Sequence, residues 1–177
     1  ILIGFIAREA GKYDRGIRPL LCYYADHYFR LHLAVEEGAN RADRSLSHIT
    51  SIRYSPTTGT RELSDQGDHG PLWGGPLMDR EVVEGLLPAD DLACPGKAWR
   101  TVSTWKEELD APLFYESDEL ASLLKASPPP MRSILETLRE HGHASRTHFS
   151  PTGFKTDLPS EEVISVLSDL MRDEQFM

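Results

Sequence analysis

The sequence lacks the features that define several protein classes. Its two cysteines, Cys22 and Cys94, lie far apart and at no metal-ligand spacing, so neither a disulfide framework nor a thiolate metal site is predicted. No stretch approaches the roughly 20 apolar residues that a bilayer crossing requires, and no secretory signal pattern is present. We therefore expect a cytoplasmic protein with no membrane partner.

The chain also lacks an excess of positive charge. Its 177 residues include 19 Lys and Arg against 28 Asp and Glu, for a net charge of -9. Acidic residues are concentrated between Asp79 and Glu119. Because an acidic protein repels a polyanion at long range, any contact with nucleic acid has to come from a local basic face.

Signatures of catalysis and of cofactor binding are missing as well. The sequence has no Gly-x-Gly-x-x-Gly motif, no P-loop and no nucleophile elbow. The seven histidines have no partners at ligand spacing, so no metal is predicted. Glu107 and Glu108 are adjacent and face different sides of a helix, where we expect them to be solvated. The chain alone is predicted to be inactive.

The first half of the sequence predicts an α+β layer. "ILIGFIAREAGKY" has helical spacing and begins without methionine, which we interpret as a cut between two domains of a longer protein. Residues 27–36 alternate and predict a half-buried strand whose core face holds Phe29, Leu31, Leu33 and Val35. Gly38 then breaks the chain before a helix, and "SIRYSPTTGTREL" predicts two strands joined by a turn. "GDHGPLWGGPLMD" is a Gly- and Pro-rich crossing that ends at Asp79, a good helix N-cap.

The last third predicts a helix, a two-stranded hairpin and a final helix, an arrangement typical of a winged-helix unit. Met131, Ile134, Leu135 and Leu138 form an amphipathic stripe. If Ser150–Gly153 is the hairpin turn, His148 faces Lys155 and Arg146 faces Asp157. A slip of the register by one residue exchanges the two faces of the hairpin.

Two basic groups of residues are candidate RNA contacts, because Arg and Lys neutralise phosphates. Each group also has a structural interpretation. In the hairpin, Arg146 pairs with Asp157, or Lys155 and Asp157 form an ion pair that fixes the wing against the core. The N-terminal group, which Tyr13 accompanies, is then an interdomain linker. The N-terminal group is Arg8, Lys12, Arg15 and Arg18, and the hairpin group is Arg146, His148 and Lys155. Arg30, on the strand predicted over residues 27–36, is a further candidate.

Three stretches carry a resemblance to a known family. They are "GIRPLLCYYADHYFRLHLAVEEGANRAD", "GPLWGGPLMD" and "SRTHFSPTGFKTDLP", of which the second is the least specific. In these stretches the chain resembles the C-terminal region of the tRNA dimethylguanosine methyltransferases, especially the archaeal ones. Asp26, His27 and Tyr28 lie in the first stretch, and none of them is assigned a catalytic role.

The resemblance implies transfer of methyl groups from S-adenosylmethionine to N2 of guanosine 26 of tRNA. The cofactor pocket of the family belongs to an N-terminal methyltransferase domain, so no cofactor is expected on this chain. The chain is then expected to hold tRNA while the other domain reacts with the base. Many relatives carry a cysteine cluster before the "GPLW" stretch, and its absence here predicts that no zinc binds.

The sequence thus predicts an α+β fold with a small antiparallel sheet and helices, followed by a helical segment and a winged-helix-like C-terminal unit. The expected divisions are a helix or linker over 1–18, a sheet subdomain over 19–78 and a helical, winged-helix-like subdomain over 79–177. The alternative function is a free-standing winged-helix module that binds nucleic acid or a protein. The helix "MRSILETLREHG" argues against a DNA reader, because it offers only two arginines among glutamates.

Overall fold

The computed structural model describes residues 1–25, 27–89 and 91–175, with side chains described as far as Arg172. The chain divides into two compact units, one formed by Ile1–Tyr54 and Glu62–Leu86, the other by Ser55–Arg61 and the chain from Leu87 onward. Within the described residues, no helix combines the length and the apolar character needed to span a membrane. Helices and small sheets in both units confirm the predicted α+β class.

The described residues of the first unit form three helices and five strands, and the first residue of β4, Arg61, belongs to the second unit. In chain order they are α1 (Leu2–Gly11), β1 (Arg15–Ala25), β2 (Tyr28–Glu37), α2 (Ala39–Leu46), β3 (Ile49–Tyr54), β4 (Arg61–Ser64), β5 (His69–Trp73) and α3 (Arg80–Glu84). Strands β1 and β2 pair as an antiparallel hairpin, and β3 lies between β4 and β5 in a separate sheet.

The N-terminal segment is packed structure rather than a linker. Helix α1 buries Ile3 and Ala7 in the first unit, and the long strand β1 begins at Arg15. The sequence did not predict β1, since a proline inside an apolar run argues against a strand. Pro19 is accommodated because the β1–β2 register shifts between Pro19 and Leu21. The observed units therefore differ from the divisions expected at 18 and 78.

Strand β2 exists where the alternation predicts it, but its predicted core face is wrong at both ends. Phe29 is 66% exposed and Val35 is 57% exposed, whereas Leu31 and Leu33 are half-buried. Phe29 lies next to the turn between β1 and β2, where its register partner is Tyr24, and Val35 is the register partner of Ile17 near the other end of the hairpin.

Helix α2 and the following turn confirm their sequence signals. Gly38 caps the start of α2 with φ of 134°, a conformation that strongly favours glycine. The chain reverses between β3 and β4 through the predicted turn, where the Ser55 N–H donates to the Thr60 carbonyl at 2.9 Å. Asp79 accepts a hydrogen bond from the N–H of Val82 and caps α3 as predicted.

In the second unit, the described part of the chain forms four helices and three strands around an apolar core. In chain order they are α4 (Pro95–Glu107), β6 (Tyr115–Glu116), α5 (Ser117–Leu124), α6 (Met131–Arg139), β7 (Ala144–Arg146), β8 (Gly153–Thr156) and α7 (Ser160–Gln175). The predicted stripe of α6 is confirmed, because Ile134, Leu135 and Leu138 are buried in this core. Strand β8 lies between β6 and β7.

The predicted hairpin register is wrong by three residues. Ser145 pairs with Lys155 and Arg146 pairs with Phe154, so the loop runs from Thr147 to Thr152. An odd shift exchanges the two faces of a strand pair. Every residue of β8 is buried, because both of its edges are paired and both of its faces are covered.

A buried carboxylate explains this register. Glu108, at the end of α4, is fully buried, and its Oε1 lies 2.7 Å from Nζ of Lys155, which is also fully buried. The Thr147 hydroxyl donates to Oε1 at 2.8 Å. The backbone N–H of His148 donates to Oε2 at 3.0 Å, and its Nδ1 lies 2.6 Å from the same oxygen. These contacts hold the start of the loop against α4.

The structure corrects two expected positions. Lys155 is fully buried and the His148 side chain is only 7% exposed, so neither lies on an open basic face. Lys155 does form a structural ion pair, but its partner is Glu108 and not Asp157. Glu107 is exposed as expected, whereas Glu108 is not solvated at all.

The charge of Glu108 is stabilised by its partners. Burial alone would raise the pKa of Glu108, but the hydrogen bond from His148 and the positive charge of Lys155 outweigh burial and lower this pKa to about 2. Glu108 is therefore ionised in the folded protein at any pH above this value.

We expect Glu108→Gln to lower the free energy of unfolding by roughly 3–5 kcal/mol, because the change leaves the buried Lys155 ammonium unpaired. Urea denaturation at pH 7 measures this loss. Glu107→Gln is the matched control, since Glu107 is exposed and adjacent, and it is expected to change stability by no more than about 0.5 kcal/mol. Equal effects of the two substitutions would contradict the structural role of the Glu108 ion pair.

We also expect an acid-sensitive stability. A carboxyl whose pKa falls on folding from 4.5 to about 2 contributes stability that is complete above pH 4.5 and is lost as the pH decreases to about 2. The full contribution is about 3 kcal/mol. The free energy of unfolding of Glu107→Gln, measured across this pH range, should decrease towards low pH as in the unchanged chain. For Glu108→Gln this decrease should be shallower. The same dependence of stability on pH in both variants would show that Glu108 is not its source.

Candidate nucleic-acid interface

The end of the β1–β2 hairpin presents aromatic rings and an arginine to solvent. Phe29 is 66% exposed and Tyr28 is 40% exposed. The Arg30 guanidinium lies 5.5 Å from the centroid of the Tyr28 ring, and Tyr24 packs on Phe29 at 5.0 Å. Exposed rings beside an arginine can stack on unpaired bases and contact phosphate. Asp26, which also belongs to the first resembling stretch, lies outside the described residues.

Most of the predicted N-terminal basic cluster is neutralised. Lys12 lies 2.7 Å from Glu9, Arg15 lies 3.4 Å from Glu37, and Arg18 forms an ion pair with Asp79. These cations are exposed, so each pair adds little to stability, and its carboxylate offsets the positive charge.

Arg8 differs from the other three members of the cluster. It is exposed on α1, and the part of the chain that the structure describes provides it with no carboxylate partner. Tyr13, which follows this helix, is 74% exposed. Within the described residues, Arg8 is thus the member of this cluster that keeps an unpaired positive charge, and Tyr13 keeps an exposed ring.

A pocket of about 270 Å³ lies in the first unit. Its inner wall is apolar and includes Ile17, Trp73 and Met78, which are 6%, 5% and 3% exposed. The imidazole of His48 lies against the Trp73 ring, with 4.9 Å between the ring centroids. The Trp73 indole N–H donates to the Pro76 carbonyl at 2.9 Å, which fixes the indole in the wall.

Three arginines surround this pocket. Arg18 is paired with Asp79, and Nε of Arg41 lies 3.3 Å from Oε2 of Glu36. Arg44 is exposed and has no ion pair among the described residues. The pocket therefore combines an apolar wall with one uncompensated positive charge.

The sequence prediction included Arg18 but missed Arg41, Arg44 and His48. Arg41 and Arg44 are three residues apart on α2 and therefore share a helix face, which is a signal that the sequence does contain. The approach of His48 to Trp73, 25 positions later, depends on the pairing of β3 with β5 and has no local signal.

In the second unit, only Arg146 of the predicted hairpin cations is exposed. Its expected partner, Asp157, instead accepts the backbone N–H of His143 at 2.8 Å and lies 2.7 Å from Nδ1 of the same residue. The backbone hydrogen bond and the ring of His143 lower the pKa of Asp157. Arg146 has no ion-pair partner within the described residues and is open to an external anion.

No three His, Cys, Asp or Glu side chains come together as metal ligands in the described part of the chain. Cys22 is buried and Cys94 is exposed, and they form no disulfide with each other. The candidate surfaces are thus built from arginines and aromatic rings.

Comparison with known proteins identifies the family. Residues 1–168 match the family model described as "N2,N2-dimethylguanosine tRNA methyltransferase". The tRNA (guanine(26)-N(2))-dimethyltransferase of Pyrococcus abyssi is 42% identical over 95% of this chain and 47% of its own length. The enzyme of the same name from Thermococcus kodakarensis is 41% identical over 96% of this chain and 47% of its own length.

A solved structure has the same fold. It is described as a complex of Trm1 from Pyrococcus horikoshii with S-adenosyl-L-methionine, and it matches with a TM-score of 0.83 and 38% sequence identity. The match covers 93% of this chain and 47% of that one. The chain thus spans about half the length of the relatives that it matches. On these matches, the chain belongs to the N2,N2-dimethylguanosine tRNA methyltransferase family.

Proposed function

We propose that this chain is the tRNA-binding region of an S-adenosylmethionine-dependent tRNA (guanine(26)-N2)-dimethyltransferase. In this role it holds the tRNA while a methyltransferase domain outside this chain transfers the methyl groups. The observation that carries the proposal is the exposed group at the end of the β1–β2 hairpin, Tyr28, Phe29 and Arg30, in a chain whose relatives are named tRNA dimethyltransferases.

The distribution of charge supports binding by contact rather than by attraction at a distance. The chain has a net charge of -9, and much of its cationic surface is already paired with carboxylates. Arg8, Arg30 and Arg146 are exposed and have no ion pair among the described residues. Arginines of this kind can replace the counterions of individual phosphates, and such contacts position an RNA without reading its sequence.

The cofactor is assigned elsewhere in the enzyme. Nucleoside cofactors bind across the carboxyl ends of parallel strands in the folds typical of methyltransferases and dehydrogenases. Every strand pair whose register is described here is antiparallel. The described strands therefore do not fit the nucleoside of S-adenosylmethionine.

We further propose that the second unit is winged-helix-like. The order α4, β6, α5, α6, β7, β8 and the sheet order β6-β8-β7 support this description. The helix that would enter a groove, α6, has Arg132 paired with Glu136 at 2.7 Å, while Arg139 donates to the Ala144 carbonyl. These contacts favour a structural role for α6 over direct base reading.

The first test is an electrophoretic shift of this chain with a tRNA transcript at low and physiological salt, beside a DNA duplex of equal charge. Arg30→Ala and Arg146→Ala are each expected to weaken tRNA binding, because each removes one phosphate contact. Each is also expected to reduce the salt slope, that is, the slope of the logarithm of the binding constant against the logarithm of the salt concentration, by about one. The matched controls are Arg53→Ala and Arg172→Ala, since Arg53 is paired with Glu62 and Arg172 with Asp169.

Selective binding of tRNA with unchanged behaviour of both controls would support the proposal. A salt slope unaffected by Arg30→Ala and Arg146→Ala would contradict an RNA contact at these positions. Equal binding of tRNA and DNA would favour the alternative, a nucleic-acid-binding module with no preference for tRNA.

Isothermal titration of this chain with S-adenosylmethionine is expected to give no saturable heat, because the strand pairs whose register is described are all antiparallel and offer no parallel-strand edge for the nucleoside. The complete enzyme, titrated under the same conditions, provides the positive control. Saturable binding to this chain with a stoichiometry of one would overturn the assignment of the cofactor to another domain.

A further inference from the structure

We propose that the pocket of the first unit binds a single unpaired nucleotide of the substrate RNA, with the base against the apolar wall and its phosphate at Arg44. This inference rests on the proposed function, because it takes RNA as the substrate. It adds a binding site on this chain that is separate from the exposed hairpin end.

The pocket has the size and the lining for one base. Its volume of about 270 Å³ lies just below the range of about 300–1,000 Å³ that is common for small-molecule sites, so it admits one flat group and not a duplex. Trp73, Met78 and Ile17 provide the apolar wall. A base can reach such a wall only if it leaves the helical stack, which is how proteins read unpaired RNA.

The pocket is held open by close backbone packing. A Cβ built on Gly75 would lie 2.7 Å from the ring of His48, so the imidazole rests directly on the backbone there. A Cβ on Gly16 would lie 2.3 Å from the carbonyl oxygen of Arg41, so α2 approaches β1 as closely as a glycine allows. Because both walls are fixed before a ligand arrives, little conformational entropy is lost on binding.

The charges around the pocket fit a nucleotide better than a simple anion. Arg44 provides the uncompensated positive charge that a phosphate requires. Glu36 and Asp79 also line the pocket, where they offset the charges of Arg41 and Arg18. Their carboxylate oxygens can accept hydrogen bonds from the N–H groups of a base. A ligand with a neutral, N–H-bearing ring and one peripheral phosphate matches this distribution.

The test is a titration of the 177-residue chain followed by NMR, using the indole N–H of Trp73 as the reporter. Four probes are compared: inorganic phosphate, guanosine 5′-monophosphate, a short single-stranded RNA and the corresponding RNA duplex. We expect the mononucleotide and the single strand to shift the Trp73 signal saturably. Phosphate is expected to bind at least roughly tenfold more weakly, and the duplex to leave the signal unchanged.

Arg44→Ala is expected to weaken binding of the mononucleotide by roughly tenfold, since it removes a charge-assisted hydrogen bond. Arg53→Ala is the matched control, because Arg53 is paired with Glu62 at 2.7 Å and does not line the pocket. Both arginines are exposed, so neither substitution is expected to unfold the chain.

The outcomes separate this inference from the proposed function. If tRNA binds but the Trp73 signal does not shift, and Arg44→Ala has the same affinity for the mononucleotide as the unchanged chain, the pocket inference is wrong and the proposed function stands. If the mononucleotide binds in the pocket but tRNA does not bind the chain, the proposed function fails while the pocket remains a nucleotide site. Equal shifts with phosphate and mononucleotide would reduce the pocket to an anion site and overturn the inference.

Discussion

The ion pair between Glu108 and Lys155 connects the end of α4 to the central strand β8, and both side chains are fully buried. Burial of an isolated carboxylate or ammonium is strongly unfavourable, so neither group is tolerated at its position without the other. The Glu108 carboxylate also forms hydrogen bonds with the Thr147 hydroxyl and with both the backbone N–H and the ring of His148. The start of the hairpin loop is therefore fixed by the end of α4, while the predicted turn at Ser150–Gly153 forms within the loop, where the Gly153 N–H donates to the Ser150 carbonyl at 3.1 Å.

This constraint determines which hairpin cation remains available. Ser145 points inward, where its hydroxyl accepts the N–H of Leu109 at 2.8 Å, and Thr147 points inward to Glu108. Successive side chains of a strand face opposite sides, so Arg146 between them points outward. The buried ion pair thus withdraws Lys155 and His148 from the surface and at the same time presents Arg146.

The sequence predicts local elements well and the partners of charged residues poorly. Helices α1, α2 and α6 follow from apolar periodicity, and Gly38 and Asp79 act at the helix starts as their residue types indicate. The three-residue error in the hairpin register has a different origin. Glu108 lies 39 positions before Thr147 and looks like half of a solvated Glu-Glu pair, so nothing local shows that the loop folds back to meet it.

The same limitation applies to the candidate site. Arg30 and Arg146 are exposed, as their place on strands with polar neighbours indicates. The pocket of the first unit combines residues from β1, α2 and β5 with the segment before α3, and only the tertiary fold brings them together. Strand β1 itself was missed because Pro19 interrupts its pattern. In the structure, the β1–β2 register shifts at Pro19, so the proline is tolerated in the strand. On the other edge of β1, the Cys22 N–H donates to the Leu77 carbonyl and the Asp79 N–H donates to the Leu20 carbonyl.

The pairing of charges constrains how such an acidic chain can contact RNA. Ion pairs such as Lys12–Glu9 and Arg15–Glu37 have no net charge, and at physiological salt the remaining fields are screened over roughly 8 Å. The chain therefore contributes little long-range attraction to a polyanion, and its open arginines act only after contact. In the proposed role, the chain would select an RNA by whether its phosphates and unpaired bases reach these few positions together, which depends on the folded shape of the RNA more than on its charge.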